Sequence, residues 1–254
     1  MIDINCQILP GMSQGSKSLA ESLRMATLAE QQGITHIIAT PHHVYGDEET
    51  AADHIVGAVE YLNGKLFQEG ISLKVLPGQE TRVYGEIIDG ITFGEVLPLN
   101  KTSKYVLIDL PATDVPNYLT QLQFDMQIAG YTPIITHPEH NQELMDNPDK
   151  LYRLVKNGAL TQIAAASLTG KSGKKVQKFV RQLVDSNLTH FIASESKSSQ
   201  KKSFLLQDAY DIIKKDFGAA IYYQFMENSQ YVIENLTIPK DQPYRIKVKR
   251  GLFK

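Results

Sequence analysis

The sequence predicts an α/β fold built on a parallel sheet. Three observations carry this reading: short apolar, β-branched runs alternate with amphipathic stretches, seven candidate strands are interleaved with helical stretches, and a glycine closes several of those stretches. Strands buried on both faces read as continuous apolar runs. Repeated β-then-α alternation calls for parallel pairing. The residues alone leave open a closed or distorted barrel and an open doubly wound sheet. The chain has 254 residues, a common length for one α/β barrel, so 1–254 is expected to form a single domain.

In chain order, strands are expected at 1–6, 35–39, 74–77, 104–108, 132–136, 161–165 and 190–193, and helices at 18–32, 51–69, 115–129, 147–157, 173–186 and 204–216. The first helix repeats Leu19, Leu23, Met25, Ala26 and Leu28 near a 3.6-residue period. Gly33, Gly70, Gly130 and Gly158 each follow a helical stretch, where a left-handed C-cap favours glycine. Segments 34–40 and 188–194 look alike, as two similar buried strands would, and His36 and His190 inside them read as structural. Tyr84, Tyr105, Tyr118 and Tyr131 read as half-buried packing groups.

Composition excludes several function classes. A net charge of −2 gives no general nucleic-acid footprint. The single cysteine, Cys6, rules out an intramolecular disulfide and fits a reducing compartment. Neither an apolar run of ~18 residues nor a signal pattern is seen, so a cytoplasmic protein is expected. The tail, about 240–254, is basic: residues 245–254 hold five cations and no acid. It reads as a solvated end, or as weak peripheral attraction to an anionic membrane or an acidic partner.

The chemistry collects where strands end, the face on which parallel α/β folds place functional side chains. The second strand runs into Thr40-Pro41-His42-His43, the third into Gly78-Gln79-Glu80, and the fourth ends at Asp109. The fifth runs into His137-Pro138-Glu139-His140-Asn141 and the last into Ser194-Glu195-Ser196-Lys197. One acid or histidine at a strand end is usually a cap or a surface group; five such ends together point to a metal site. Imidazole with carboxylate suits Mn, Fe or Zn. Glu86 and Glu139 read as surface acids or as acids behind the ligands. There is no nucleophile elbow, P-loop, GxGxxG or CX5R loop, so Cys6 reads as a small buried residue.

These residues resemble a known family. The stretches 1–11, 39–43, 76–80, 83–86, 137–139, 158–162, 166–170 and 188–194, together with the basic tail ending Leu252-Phe253, are similar to the PHP-type (polymerase and histidinol phosphatase) protein-tyrosine phosphatases of bacterial capsule and exopolysaccharide operons. The resemblance implies a distorted (β/α)7 barrel with up to three metal ions, often manganese, at its C-terminal face. There a metal-bridging hydroxide would attack phosphotyrosine. The implied partner is the autophosphorylated tyrosine kinase of the same operon.

Carried over position by position, the resemblance implies His42, Glu80, Asp109, His137 and Glu195 as metal ligands, and Arg82, His42 and Lys197 as groups acting on the phosphate. Asn5 and Gln7 stand at two histidine positions, Ser13 and Gln14 at an aspartate pair, and Lys197 at a further histidine. His140 and Lys202 stand where arginines would hold phosphate. Neutral amides are poor d-block ligands and an ammonium is none. The expectation is therefore a catalytically impaired member or pseudophosphatase. The alternatives are an active manganese-dependent enzyme with a reduced metal set, and a non-catalytic structural or oligomerisation partner of an intact paralogue, a homo-oligomer being compatible with either.

Overall fold

A computed structural model describes residues 1–200 and 204–246. Its strands are β1 (Ile2–Cys6), β2 (His36–Ala39), β3 (His42–His43), β4 (Lys74–Pro77), β5 (Glu80–Arg82), β6 (Tyr105–Asp109), β7 (Thr132–Thr136), β8 (Leu160–Ala164) and β9 (Phe191–Ala193). All pairings are parallel, in two ladders ordered β1-β2-β4 and β3-β5-β6-β7-β8-β9. β3 continues β2 past Pro41, and β5 continues β4 past Gly78. The nine strands are thus seven staves, as the resemblance implied.

Gly78 marks the break in its stave because no side chain fits there. A Cβ at this position would lie 2.6 Å from Ile38 Cγ2 and 3.0 Å from Leu99 Cδ2. The last stave meets the first without a regular ladder. Glu195 N donates to Asn5 O at 3.0 Å and Gln7 N donates to Ser196 O at 2.9 Å. Ser194 N reaches the buried Asp3 carboxylate at 3.0 Å. The barrel is therefore distorted at the seam between β1 and β9.

Ten helices are described: α1 (Leu19–Gln31), α2 (Ala52–Gln68), α3 (Ile87–Phe93), α4 (Leu119–Ile128), α5 (Gln142–Asp146), α6 (Pro148–Lys156), α7 (Ala165–Leu168), α8 (Lys174–Asp185), α9 (Leu206–Asp216) and α10 (Ala219–Ile233). Ser18 caps α1 by accepting from Glu21 N, while Glu21 turns back to Lys17 N. The expected helix at 115–129 starts only at Leu119, since Pro116 disfavours helical backbone at Val115. Ala165, expected as strand, opens α7. α3, α5 and α10 were not expected. In α10 the buried positions include Asn228 and Ser229, which blur its apolar period.

Two apolar layers result. The larger lies between sheet and helices. The smaller fills the barrel interior with Ile2, Ile4, Ile38, Leu76, Tyr105, Leu107, Ile134, Leu160 and Phe191, and is closed by Val232 of α10 and by Ile238. Tyr105 is fully buried rather than half-buried: its hydroxyl donates to Leu236 O and accepts from Ile238 N. This packing plugs the end of the barrel where strands begin and leaves the opposite end for polar side chains. His190 is structural, with Nδ1 accepting from Thr161 N at 3.1 Å.

The start of the basic tail packs on the barrel. Tyr244 N donates to Ser186 O, and Arg245 pairs with Asp149 and lies over the Tyr152 ring. The rest of the tail, 247–254, and Lys202 lie outside the described residues. No helix among the described residues is long and apolar enough to cross a membrane.

Candidate active-site cleft

A cleft of about 230 Å³ opens at the C-terminal end of the strands. Gln7, Gln14, His42, Glu80, Arg82, Asp109, His137, His140 and Lys197 line it. The side chains singled out from separate strand ends are thus brought to one place by parallel packing.

Its centre is His137, which follows β7. Nε2 lies 2.9 Å from Asp109 Oδ1, and Nδ1 lies 3.6 Å from Glu80 Oε1 and 3.4 Å from Glu195 Oε1. Asp109 Oδ2 receives His42 Nε2 at 2.9 Å and Arg82 Nη2 at 2.8 Å. Burial alone would raise the Asp109 carboxyl, but the hydrogen bonds from both histidines and the Arg82 charge outweigh it and hold the group well below the usual carboxylate range. Burial opposes charge on His137, yet Glu195, Asp109 and Glu80 outweigh it and push the ring well above its ordinary value. Burial raises Glu80. Burial would also raise Glu195, but His137 beside it brings it down.

Backbone strain gathers here. His137 has φ 31° and Glu195 φ 51°, both in the left-handed region that side chains other than Gly, Asn and Asp rarely enter. The hydrogen bond from Glu195 N to Asn5 O and that from His140 N to His137 O hold the two turns. Gly15 meets a different demand. A Cβ there would sit 2.5 Å from Gln7 O, so the loop carrying Gln14 approaches the end of β1 only through a glycine.

Asn5 sits in a hydrogen-bond chain that runs from Thr40 to Glu195, while Gln7 Oε1 is buried without a hydrogen-bond partner. Cys6 N donates to Thr40 Oγ1 at 3.0 Å, and Thr40 Oγ1 donates to Asn5 Oδ1 at 2.7 Å. Asn5 Nδ2 donates to Glu80 Oε1 at 3.1 Å and to Gln162 Oε1 at 3.0 Å, and Gln162 Nε2 donates to Glu195 Oε1 at 2.9 Å. Thr40 has one proton to give, and giving it to Asn5 fixes the carboxamide with its oxygen away from the carboxylates. Asn5 therefore presents N–H groups where a ligand would present a lone pair. Lys197 Nζ lies 3.4 Å from Gln14 Oε1 across the mouth.

This donor set does not fit a three-ion cluster. Glu80 and Asp109 meet different nitrogens of the His137 ring, so as they stand the three do not face one common point. Among the described residues no three His, Cys, Asp or Glu side chains converge as metal ligands. His137 Nδ1 is buried without a hydrogen-bond partner between two acids, a place for one positive charge.

Gln162 and Glu139 were not singled out for what they do. Gln162 is a polar residue inside an apolar strand, a signal visible in the sequence. Glu139 is fully buried, not a surface acid: Oε1 accepts from Ala164 N at 2.8 Å, and burial pushes its carboxyl up to about 7. Glu86 is exposed at the start of α3.

Residues 1–234 match the family described as capsular polysaccharide synthesis, CpsB/CapC. The chain belongs to this family. It is 43% identical to the tyrosine-protein phosphatase YwqE of Bacillus subtilis (strain 168), covering 100% of this chain and 99% of that protein. It is 27% identical to the tyrosine-protein phosphatase CpsB of Streptococcus agalactiae serotype III, covering 92% and 99%. Among solved structures, one described with those of YwqE from Bacillus subtilis and CpsB from Streptococcus pneumoniae as unique metal-dependent tyrosine phosphatases superposes with a TM-score of 0.94 at 42% identity, covering 98% of this chain and 100% of that one. A β-aspartyl dipeptidase from Fervidobacterium islandicum, 10% identical with a TM-score of 0.53, shares the fold alone; 96% of this chain and 78% of that one are covered. The resemblance to tyrosine phosphatases of capsule synthesis and the distorted (β/α) barrel it implied are both found.

Proposed function

We propose that this chain is a phosphotyrosine-recognising member of the CpsB/CapC tyrosine phosphatases whose turnover is impaired. It acts in the cytoplasm on capsule or exopolysaccharide synthesis, through the autophosphorylated tyrosine kinase of polysaccharide assembly. Full-length similarity to named tyrosine-protein phosphatases supports the substrate class. The Arg82 and Lys197 charges and the imidazoles beside them support phosphate recognition. Arg82 uses one N–H on Asp109 and is 37% exposed, and His42, His140 and Lys197 stand around the same opening.

One observation carries the impairment: the Asn5 carboxamide offers N–H groups to Glu80 and Gln162. A hydroxide bridging two ions needs metals about 3.5–4 Å apart, and the hydrogen-bonded amides hold the place of one partner. At most one divalent ion is expected. To hold it, His137 would have to lose its proton and draw together with Glu80 and Glu195, since the three do not converge as ligands as they stand. Manganese is among the ions that accept imidazole and carboxylate together. When bound, such an ion would supply electrophilic charge at the phosphate.

Elemental analysis of the purified protein, beside p-nitrophenyl phosphate hydrolysis with added manganese, tests this. The expected result is at most one equivalent of metal and little hydrolysis. A full complement of manganese with brisk turnover would overturn it. The unpartnered His137 Nδ1 favours a second reading, an active enzyme with a reduced metal set. In that case Glu80→Ala abolishes the activity. Kinase pulldown with and without phosphorylation separates both readings from a purely structural partner, since only a partner held through the cleft depends on the phosphate.

A further inference from the structure

Three tyrosines follow β3, β5 and β6 just beyond the residues that line the cleft. Tyr45 lies two residues beyond β3 and is 65% exposed. Tyr84 lies two residues beyond Arg82, and the two rings are 4.9 Å apart, tilted by 42°. The Tyr84 hydroxyl is pressed onto Gly90 of α3, where a Cβ would stand 2.1 Å from it, so this ring is fixed from below. Tyr118, 43% exposed, reaches the same place from before α4 and donates to Val83 O, the carbonyl next after Arg82, at 3.4 Å. The three rings are therefore joined to the residue that borders the anion-binding cleft.

The charge beside these rings is negative. Glu86 is exposed and near both Tyr84 and Tyr118; after burial itself, it is among the groups that push their phenols up. Among the described residues no cation pairs with Glu86. Glu95, by contrast, is engaged by Gly46 N and faces His43. Ring faces beside a free carboxylate attract a cation, and clustered exposed aromatics mark contact surfaces. Arg82 and Lys197 line the cleft and Glu86 stands beside the rings, which matches a peptide carrying a phosphate and a cation close together. An extended chain advances about 3.3–3.6 Å per residue, so a shelf that begins at Tyr84, two residues past Arg82, is within reach of about three residues from the phosphotyrosine.

We propose that Tyr45, Tyr84, Tyr118 and Glu86 form a shelf that takes a lysine or arginine side chain lying within about three residues of the phosphotyrosine in the cleft. This rests on the phosphotyrosine reading above and adds sequence preference to it. The ammonium or guanidinium lies over the rings with Glu86 at its edge, while the phosphate meets Arg82.

The test is fluorescence polarisation with the intact protein and three phosphotyrosine peptides that differ only in carrying Lys, Leu or Glu at the flanking positions. Free phosphotyrosine serves as competitor. The Lys peptide is expected to bind about tenfold more tightly than the Glu peptide at low salt. In Glu86→Lys the gap falls below about threefold, with free phosphotyrosine competing unchanged. Tyr118→Leu narrows the preference for Lys over Leu. Equal affinities for all three peptides, with free phosphotyrosine still competing, would overturn the shelf and leave the cleft reading standing; so would a preference for Leu over Lys. If neither peptide nor free phosphotyrosine binds, both readings fall. Both substituted positions are exposed, and an unchanged circular dichroism spectrum confirms that the fold is kept.

Discussion

Asp109 and His137 divide the cleft in two. Because Asp109 Oδ1 lies 2.9 Å from His137 Nε2, the ring turns its other nitrogen toward Glu80 and Glu195. The same carboxylate holds His42 and Arg82 through Oδ2, so one acid orients two imidazoles and a guanidinium.

Removing that acid charge is expected to cost stability. Asp109→Asn leaves Arg82 and His137 without their shared anion and turns an amide N–H toward one of them. A loss of about 3 kcal/mol is expected, as when one partner of a buried ion pair is removed. The urea midpoint checks it, and an unchanged midpoint would show that the network adds little.

Restoring the ligands is expected to restore the chemistry. The combined Asn5→His, Gln7→His, Gln14→Asp, Glu195→Asp and Lys197→His chain is expected to take up more manganese and to hydrolyse p-nitrophenyl phosphate faster. Aspartate also suits the left-handed backbone at 195 better than glutamate does. Failure in a folded protein would mean that the surrounding hydrogen bonds, with Gln162 foremost, have been rebuilt around the amides.

His190 is expected to make stability fall in acid. Burial holds its folded pKa down at about 3, against an ordinary imidazole value of 6.5. The unfolded chain therefore binds a proton that the folded one refuses. The stabilising contribution is complete above about pH 6.5 and is lost toward pH 3, at about 1.4 kcal/mol per pH unit within that window. Asp3, raised to about 6, and Glu139, raised to about 7, act in the opposite sense, losing their contribution as pH rises through those values. The measurement is therefore a difference: denaturant stability of the protein and of His190→Asn, compared from pH 7 to 4. Parallel curves would refute the assignment.

Gly78→Ala is expected to destabilise by about 1–3 kcal/mol, the usual penalty for overpacking a filled core. The new methyl meets Ile38 and Leu99 at 3.0 Å or less. Thermal unfolding reports it, and pairing with Ile38→Val is expected to recover part of the loss.

Much of the fold was legible because buried parallel strands are local and apolar. The seven staves were all visible, from Ile2–Cys6 to Phe191–Ala193. α10 was not, because Asn228 and Ser229 occupy buried positions for tertiary reasons: Asn228 Nδ2 donates to His190 O, the carbonyl just before the last strand. For Glu139 the sequence left open a surface acid or one behind the ligands; it is buried, and its partner, Ala164 N, is 25 residues away in the chain.

The sequence by itself determined which chemical groups stand at the strand ends, amides and an ammonium among the imidazoles and acids, because side-chain identity at the end of a parallel strand is a local fact. Only the tertiary structure decided which way those groups face. The direction of the Asn5 carboxamide is set by Thr40, 35 residues away, and by Gln162, 157 residues away. Hydrogen-bond direction depends on partners that only packing brings together, and it is this direction that separates a ligand from a donor.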